Sequence, residues 1–145
     1  MQRPRLLPFL ALALTAAGIS AQVRTLEGGN CAEGSRLQVD GEPRPGQSLM
    51  IRGSGCADRV SPFLLLGVES DAPTWLPAEL RCSAVGRCAL LVDPVRIELD
   101  LRHLEITLPL DPHILGLSFA VQAGCFDRAA VCMDPGAAAR ISIRG

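Results

Sequence analysis

Six cysteines, all downstream of an apolar leader, constrain this chain more than any other feature. Residues 1–21 read Met1-Gln-Arg-Pro-Arg, then an almost unbroken apolar run from Leu6 to Ile19, then Ser20-Ala21. A basic start, a short apolar middle and a small residue before the cut make a secretory signal peptide, with the exported protein starting at Gln22. The run is too short to be read first as a membrane span. No cysteine sits at the cut, so a lipid anchor is not indicated. Outside the cytosol an even number of cysteines implies disulfides before metal or redox chemistry. The expected location is therefore secreted or periplasmic.

Removing residues 1–21 from 145 leaves 124, one domain's worth, and a chain of this size gains much from covalent staples. Arg3 and Arg5 lie in the leader. The remainder thus carries 12 of the 14 basic residues against all 15 acidic ones, a formal charge of about −3. Every basic residue is Arg. Along the chain they stand singly (Arg36, Arg52, Arg59, Arg81, Arg96, Arg128), so no basic run marks a nucleic-acid partner. No segment after the leader is long and apolar enough to span a membrane.

Residues 22–33 are polar and glycine-containing and read as a lead-in. From residue 34 to 145 the hydrophobic period is two. Leu37 and Val39 alternate with polar neighbours, as do Leu49 and Ile51 beyond Gly41-Glu-Pro-Arg-Pro-Gly46, which is a hairpin signal. Phe63-Leu-Leu-Leu66 suits a strand buried on both faces. Val95, Ile97, Leu99 and Leu101 alternate cleanly, and Leu104, Ile106, Leu108 and Leu110 alternate in the opposite phase. A turn or bulge is expected at Arg102-His103, because one slipped residue flips every side chain to the other face. Further strands are expected at 88–93, 115–126 and 140–144. Asp111-Pro-His-Ile-Leu115 suits a single helical turn, and Ala137-Ala-Ala139 is helix-friendly but too short to matter. About eight strands with turn chemistry between them point to an all-β domain. Two antiparallel sheets packed face to face are the first expectation and a small barrel the second.

A turn centred between Pro43 and Arg44 would place Leu37 opposite Met50, Arg36 opposite Ile51, and Cys31 opposite Cys56. Cys82 and Cys88, and Cys125 and Cys132, flank short excursions. The most local pairing is therefore Cys31–Cys56, Cys82–Cys88 and Cys125–Cys132, stabilising by about 2.4–3.5 kcal/mol per bond on chain-entropy grounds. Zinc is the sharper alternative for the cysteines. It is disfavoured by the absence of Cys-x-x-Cys, by two isolated histidines and by the export signal.

Candidates for catalysis are thin. His103 reads as a polar turn residue and His113 as a loop residue beside Asp111. No serine sits in a nucleophile elbow. Asp93, Glu98, Asp100 and Glu105 alternate with apolar residues as the wet face of a half-exposed strand does. There is no phosphate-cradling glycine loop and no EF-type calcium loop. An enzyme, a cofactor and a metal are all unexpected. Among the aromatics Phe63 and Phe119 belong to the core, and Trp75, between Pro73 and Pro77, is the possible ligand contact.

Three groups of residues carry a resemblance: Gly41-Glu-Pro-Arg-Pro-Gly46 with Ser48-Leu-Met-Ile-Arg-Gly53; Leu64-Leu-Leu-Gly-Val68 with Leu76-Pro77 and Cys88-Ala-Leu-Leu91; and Leu108-Pro-Leu-Asp-Pro112 with Leu115-Gly116 and Phe119-Ala-Val-Gln122. In that order they resemble a loose group of uncharacterised secreted bacterial β-sandwich proteins over about residues 34–144. The resemblance implies an immunoglobulin-like sandwich with no activity attached. Gln122, within its last strand, is expected to satisfy neighbouring backbone rather than to bind a ligand.

The reading that accounts for these features is an exported, non-enzymatic structural or interaction module with a protein or cell-surface partner. The alternatives are a ligand- or carbohydrate-binding module using Trp75, a protease inhibitor offering Arg87, and a small hydrolase built on Asp111 and His113.

Overall fold

The computed structural model describes residues 22–28, 31, 35–83 and 88–145, so the expected signal peptide, residues 1–21, lies outside the described residues. Among them are eight strands: β1 (Val23–Leu26), β2 (Arg36–Asp40), β3 (Ser48–Ser54), β4 (Ser61–Trp75), β5 (Ala89–Leu99), β6 (His103–Thr107), β7 (Ser118–Asp127) and β8 (Cys132–Ser142). They form two antiparallel sheets, a five-stranded one in the order β1-β8-β7-β4-β5 and a three-stranded one in the order β2-β3-β6. Single 3-10 turns at Ala78–Leu80 and Pro112–Ile114 are the helical elements, the second where the sequence places one.

Period-two alternation explains the contact between the sheets. Leu49 and Ile51 of β3 are fully buried while Ser48, Arg52 and Ser54 are exposed. They meet Leu64, Val121, Ala123, Ala139 and Ile141 from the larger sheet in one cluster, joined at its margin by Leu37, Val39, Leu104 and Ile106. Each of the larger side chains buried here contributes about 1.5–3 kcal/mol. The phase change at Arg102-His103 is where the chain leaves the larger sheet for the smaller one. Asp100 takes a left-handed backbone there, φ 60°.

The larger sheet also buries its other face, by folding its own hairpin over it. Beyond Gly67, β4 stops pairing with β7 but continues to pair with β5, with register shifts after Leu66 and after Glu69. A Cβ at Gly67 would collide with the Asp93 carbonyl oxygen, so glycine is required where the hairpin bends. Pro94 sits opposite Gly67, and β5 tolerates it because an edge strand needs ladder bonds on one side only. Past the bend the hairpin, Val68–Trp75 with Ala89–Asp93, becomes an arm lying across β7 and β8. Ala89 and Leu91 pack on Ala138, while Leu90 and Val92 join Phe63, Leu65 and Ala120. Leu26 of β1 borders both clusters.

Gln122 fastens this arm. Its side chain is fully buried, accepts from the Leu91 N–H at 2.9 Å, and donates to the carbonyls of Ala89 at 3.1 Å and Gly136 at 3.2 Å. One amide thus satisfies three backbone groups on β5 and β8, in line with the backbone role expected from sequence. On the rim, the Glu69 carboxylate of the arm faces Arg24 at 3.2 Å and Arg140 at 3.4 Å.

The disulfides follow the arm and overturn the local pairing expected from sequence. The bonds are Cys31–Cys88, Cys56–Cys125 and Cys82–Cys132, spanning 57, 69 and 50 residues. The first ties the segment before β2 to the base of β5. The second ties the β3–β4 connection to β7, and the third ties the chain leaving the arm to β8. The local pairing fails because the β2–β3 register differs from the expected one. Leu37 pairs with Gly53 and Val39 with Ile51, across a wide loop rather than a tight turn. That loop hangs on β6 through Gly46 N–H to Leu108 O (3.0 Å) and Leu108 N–H to Gln47 O (2.9 Å). Likewise Cys125 and Cys132 lie near the β7–β8 turn, where Cys132 stands opposite Asp127 rather than Cys125. Loops of this length raise each bond's chain-entropy contribution to about 4 kcal/mol taken alone.

Three strands differ further from expectation. The two strands expected at 88–93 and 95–101 are one kinked strand, β5 (Ala89–Leu99), and β8 runs from Cys132 through Ala137–Ala139, whose small side chains suit a strand beneath the arm. Val23–Leu26, within the expected lead-in, is an edge strand paired with β8.

Replacing Gln122 by Leu orphans one buried N–H and two buried carbonyls. The expected loss is about 3 kcal/mol or more, read from denaturant midpoints with the disulfides intact. A loss below about 1 kcal/mol would contradict the clamp.

Candidate functional site

The expected hydrolase pair does not form a catalytic unit. The Asp111 carboxylate accepts from the backbone N–H of His113 at 2.9 Å and caps the short turn; the His113 ring has no hydrogen-bond partner among the described residues. His103 begins β6, on its exposed face and opposite Arg52 of β3. The four carboxylates flagged along the alternating segment are dispersed. Glu98 pairs with Arg96, Asp100 pairs with Arg128, Glu105 belongs to the other sheet, and Asp93 is at the bend.

The cysteines offer no thiolate. The sulfurs of Cys31 and Cys88 lie within 4.8 Å of the Asp134 carboxylate, a metal-like spacing, but they are bonded to each other. Asp134 accepts from the Ser83 N–H at 2.9 Å, next to a cavity of about 310 Å³ bordered by Cys31, Cys82 and Cys125. That end of the molecule is a staple point. Trp75 ends β4 on the arm, half exposed, opposite Ala89, with none of the other aromatics exposed beside it. Phe63 is buried over Gly124, and Phe119 packs at the margin of the main core. Arg87, the bait expected for a protease, lies outside the described residues.

What the structure brings together instead is a basic groove on the outer face of the three-stranded sheet, about 660 Å³, lined by Arg36, Gln38, Met50, Arg52, Arg102 and His103 among others. Alternation puts these residues outside because Leu37, Leu49, Ile51 and Leu104 go inside. Register then assembles them. Gln38 stands opposite Arg52, and Arg52 opposite His103, so three strands contribute one row. Arg36 stands opposite Ser54 in the next row. Arg102 is held at the sheet's corner by its carbonyl, which accepts from the Gly53 N–H at 2.9 Å.

The electrostatics of the groove are uneven. Asp40 draws on Arg52 at 3.8 Å and accepts from Gln38 at 2.8 Å. Arg36 and Arg102 have no ion pair among the described residues. Two guanidiniums without an ion pair, a third shared with Asp40, and an imidazole make the Arg36–Arg102 end a surface for carboxylate groups, while at the other end half-buried Met50 stands between Asp40 and Glu105. Along the chain Arg36 and Arg52 read as scattered singles because they are 16 positions apart. Only the β2–β3 pairing makes them neighbours, and no signal along the chain announces it. No protein-family model matches the chain, and no curated protein matches it at a significant level.

Asp111→Ala should lower stability by about 0.5–1 kcal/mol through loss of the cap, and His113→Ala by less, in parallel thermal melts. Equal or reversed effects would contradict the capping assignment.

Proposed function

We propose that this chain is an exported, non-enzymatic interaction module, an immunoglobulin-like sandwich whose binding face is the Arg36–Arg52–Arg102 groove. Its partner is a short acidic segment of another protein. The observation that carries this reading is the convergence of three arginines and His103 on one open face, without a nucleophile or acid/base pair beside them. The charge of about −3 carried by residues 22–145, 12 basic against 15 acidic side chains, supports a local contact over a long polyanion such as nucleic acid, which the rest of the surface would repel. A secreted or periplasmic setting is supported by the leader, by three disulfides, and by the fact that no helix among the described residues is long and apolar enough to cross a membrane. The resemblance to secreted bacterial β-sandwich proteins points the same way.

A second reading, a carbohydrate-binding module, rests on Trp75, half exposed at the end of β4, since indole rings are a common sugar-facing surface. It is weaker because the groove holds no Phe, Tyr or Trp ring and Trp75 lies elsewhere.

A fluorescent polyglutamate peptide, titrated with the oxidised protein and followed by anisotropy, tests the first reading. Binding should weaken with salt and fall roughly tenfold or more in Arg36→Glu/Arg52→Glu. It should change far less in Arg44→Glu/Arg128→Glu, which has the same net charge. Equal losses in both double variants, no binding at low salt, or glycan binding lost on Trp75→Ala would overturn it.

A further inference from the structure

The edge strand of the larger sheet shows its apolar side to solvent. The alternation Val95, Ile97, Leu99 reads in sequence as a core-facing row with Arg96 and Glu98 on the wet face. In the fold the apolar row is exposed, at 85, 57 and 51%. Register explains the inversion. Glu98 stands opposite Leu64, and Arg96 opposite Leu66, so the charged pair faces the same side as the core between the sheets, at a flank the three-stranded sheet leaves open. Ile97 and Leu99 stand opposite Leu65 and Phe63, on the face that the arm covers further inward but not here. Outward from β5 no strand follows among the described residues. Val95 is the extra residue of the bulge opposite Leu66 and Gly67, and from Arg96 to Leu99 backbone donors and acceptors line that edge, beside three large apolar side chains, a combination that natural edges usually avoid.

The other edges lack this combination. β1 has only four residues, and β2 and β6 turn their apolar residues into the core. The occupant of the β5 edge can be read from its own sequence, Val95-Arg96-Ile97-Glu98-Leu99. Set antiparallel to a second copy about a two-fold axis through Ile97, Val95 meets Leu99 and Ile97 meets Ile97. On the other face each Arg96 meets Glu98 of the second copy. Moving the axis by one residue sets Arg96 against Arg96 or Glu98 against Glu98. A half-step places apolar side chains opposite charged ones. Only one register is complementary on both faces.

We propose that this protein self-associates through the 95–99 edge of β5, two copies pairing antiparallel about Ile97 so that the five-stranded sheets join into one. The contact is isologous and closed, so it uses up the exposed edge on both copies and does not propagate into fibres. It is independent of the basic groove, which lies on the other sheet. In the single chain Arg96 and Glu98 neutralise each other along the strand. In the pair the same four charges alternate across the axis.

Sedimentation equilibrium of the oxidised, processed protein tests the proposal, with charge swaps as the specific probe. The wild type should show a reversible monomer–dimer equilibrium. Arg96→Glu alone and Glu98→Arg alone should each weaken it roughly tenfold, because each sets like charges opposite. The double swap Arg96→Glu/Glu98→Arg should restore it, and an equimolar mixture of the two single variants should form a mixed dimer. Ile97→Lys should abolish it. A monomer up to millimolar concentration, open-ended oligomers, or single swaps that dimerise as well as the wild type would overturn the proposal. Unchanged circular dichroism and complete disulfide formation establish that each variant is folded.

Discussion

One buried amide organises this fold. Gln122 sits at the centre of the larger sheet, where an uncompensated polar side chain would be strongly destabilising, and makes all three of its hydrogen bonds to backbone. Two of its three partners belong to the arm. The clamp is what allows the β4–β5 hairpin to leave its own sheet at Gly67 and lie on it. That in turn gives a chain with few aromatics a second apolar layer, with Phe63, Leu65 and Val92 on one side and Ala89, Leu91 and Ala138 on the other. Glycine at the bend, alanines beneath the arm and proline on the free edge all serve the same geometry.

The disulfides belong to this arrangement too. Cys88 and Cys82 flank the far end of the hairpin, and their partners, Cys31 and Cys132, lie outside it. Each bond therefore closes a loop of 50 residues or more and restricts the unfolded chain more than a local staple would. With the arm pinned at one end by sulfur and in the middle by Gln122, the larger sheet is rigid enough to carry the smaller sheet and its groove. It also explains why β5 is an edge. The part of β5 before Pro94 is committed to the arm, and the part after it is left with β4 on one side alone.

The legibility of the sequence divides along the same line. All-β class, strand alternation, the short turn at Pro112–Ile114 and the backbone role of Gln122 are local or periodic features, and the sequence carries them. The phase break at Arg102-His103 is visible as well, though its meaning, a change of sheet, is not. Connectivity of the cysteines is a property of tertiary register, and a β2–β3 pairing with Leu37 opposite Gly53 removes the alignment on which a Cys31–Cys56 bond depends. The inward or outward sense of Val95, Ile97 and Leu99 depends on which face the neighbouring strand presents, which alternation alone does not specify. The basic groove is assembled from three strands, so residues that look isolated in the chain are neighbours in space.

Disulfide mapping tests the arm most directly. The chain places at least one Arg between every two successive cysteines, so an arginine-specific protease puts each cysteine on its own peptide. Digestion without reductant, at a pH that prevents exchange, followed by mass spectrometry should yield three cross-linked pairs: Cys31 with Cys88, Cys56 with Cys125, and Cys82 with Cys132. The local set, Cys31 with Cys56, Cys82 with Cys88 and Cys125 with Cys132, would contradict the folded-over arm and everything built upon it.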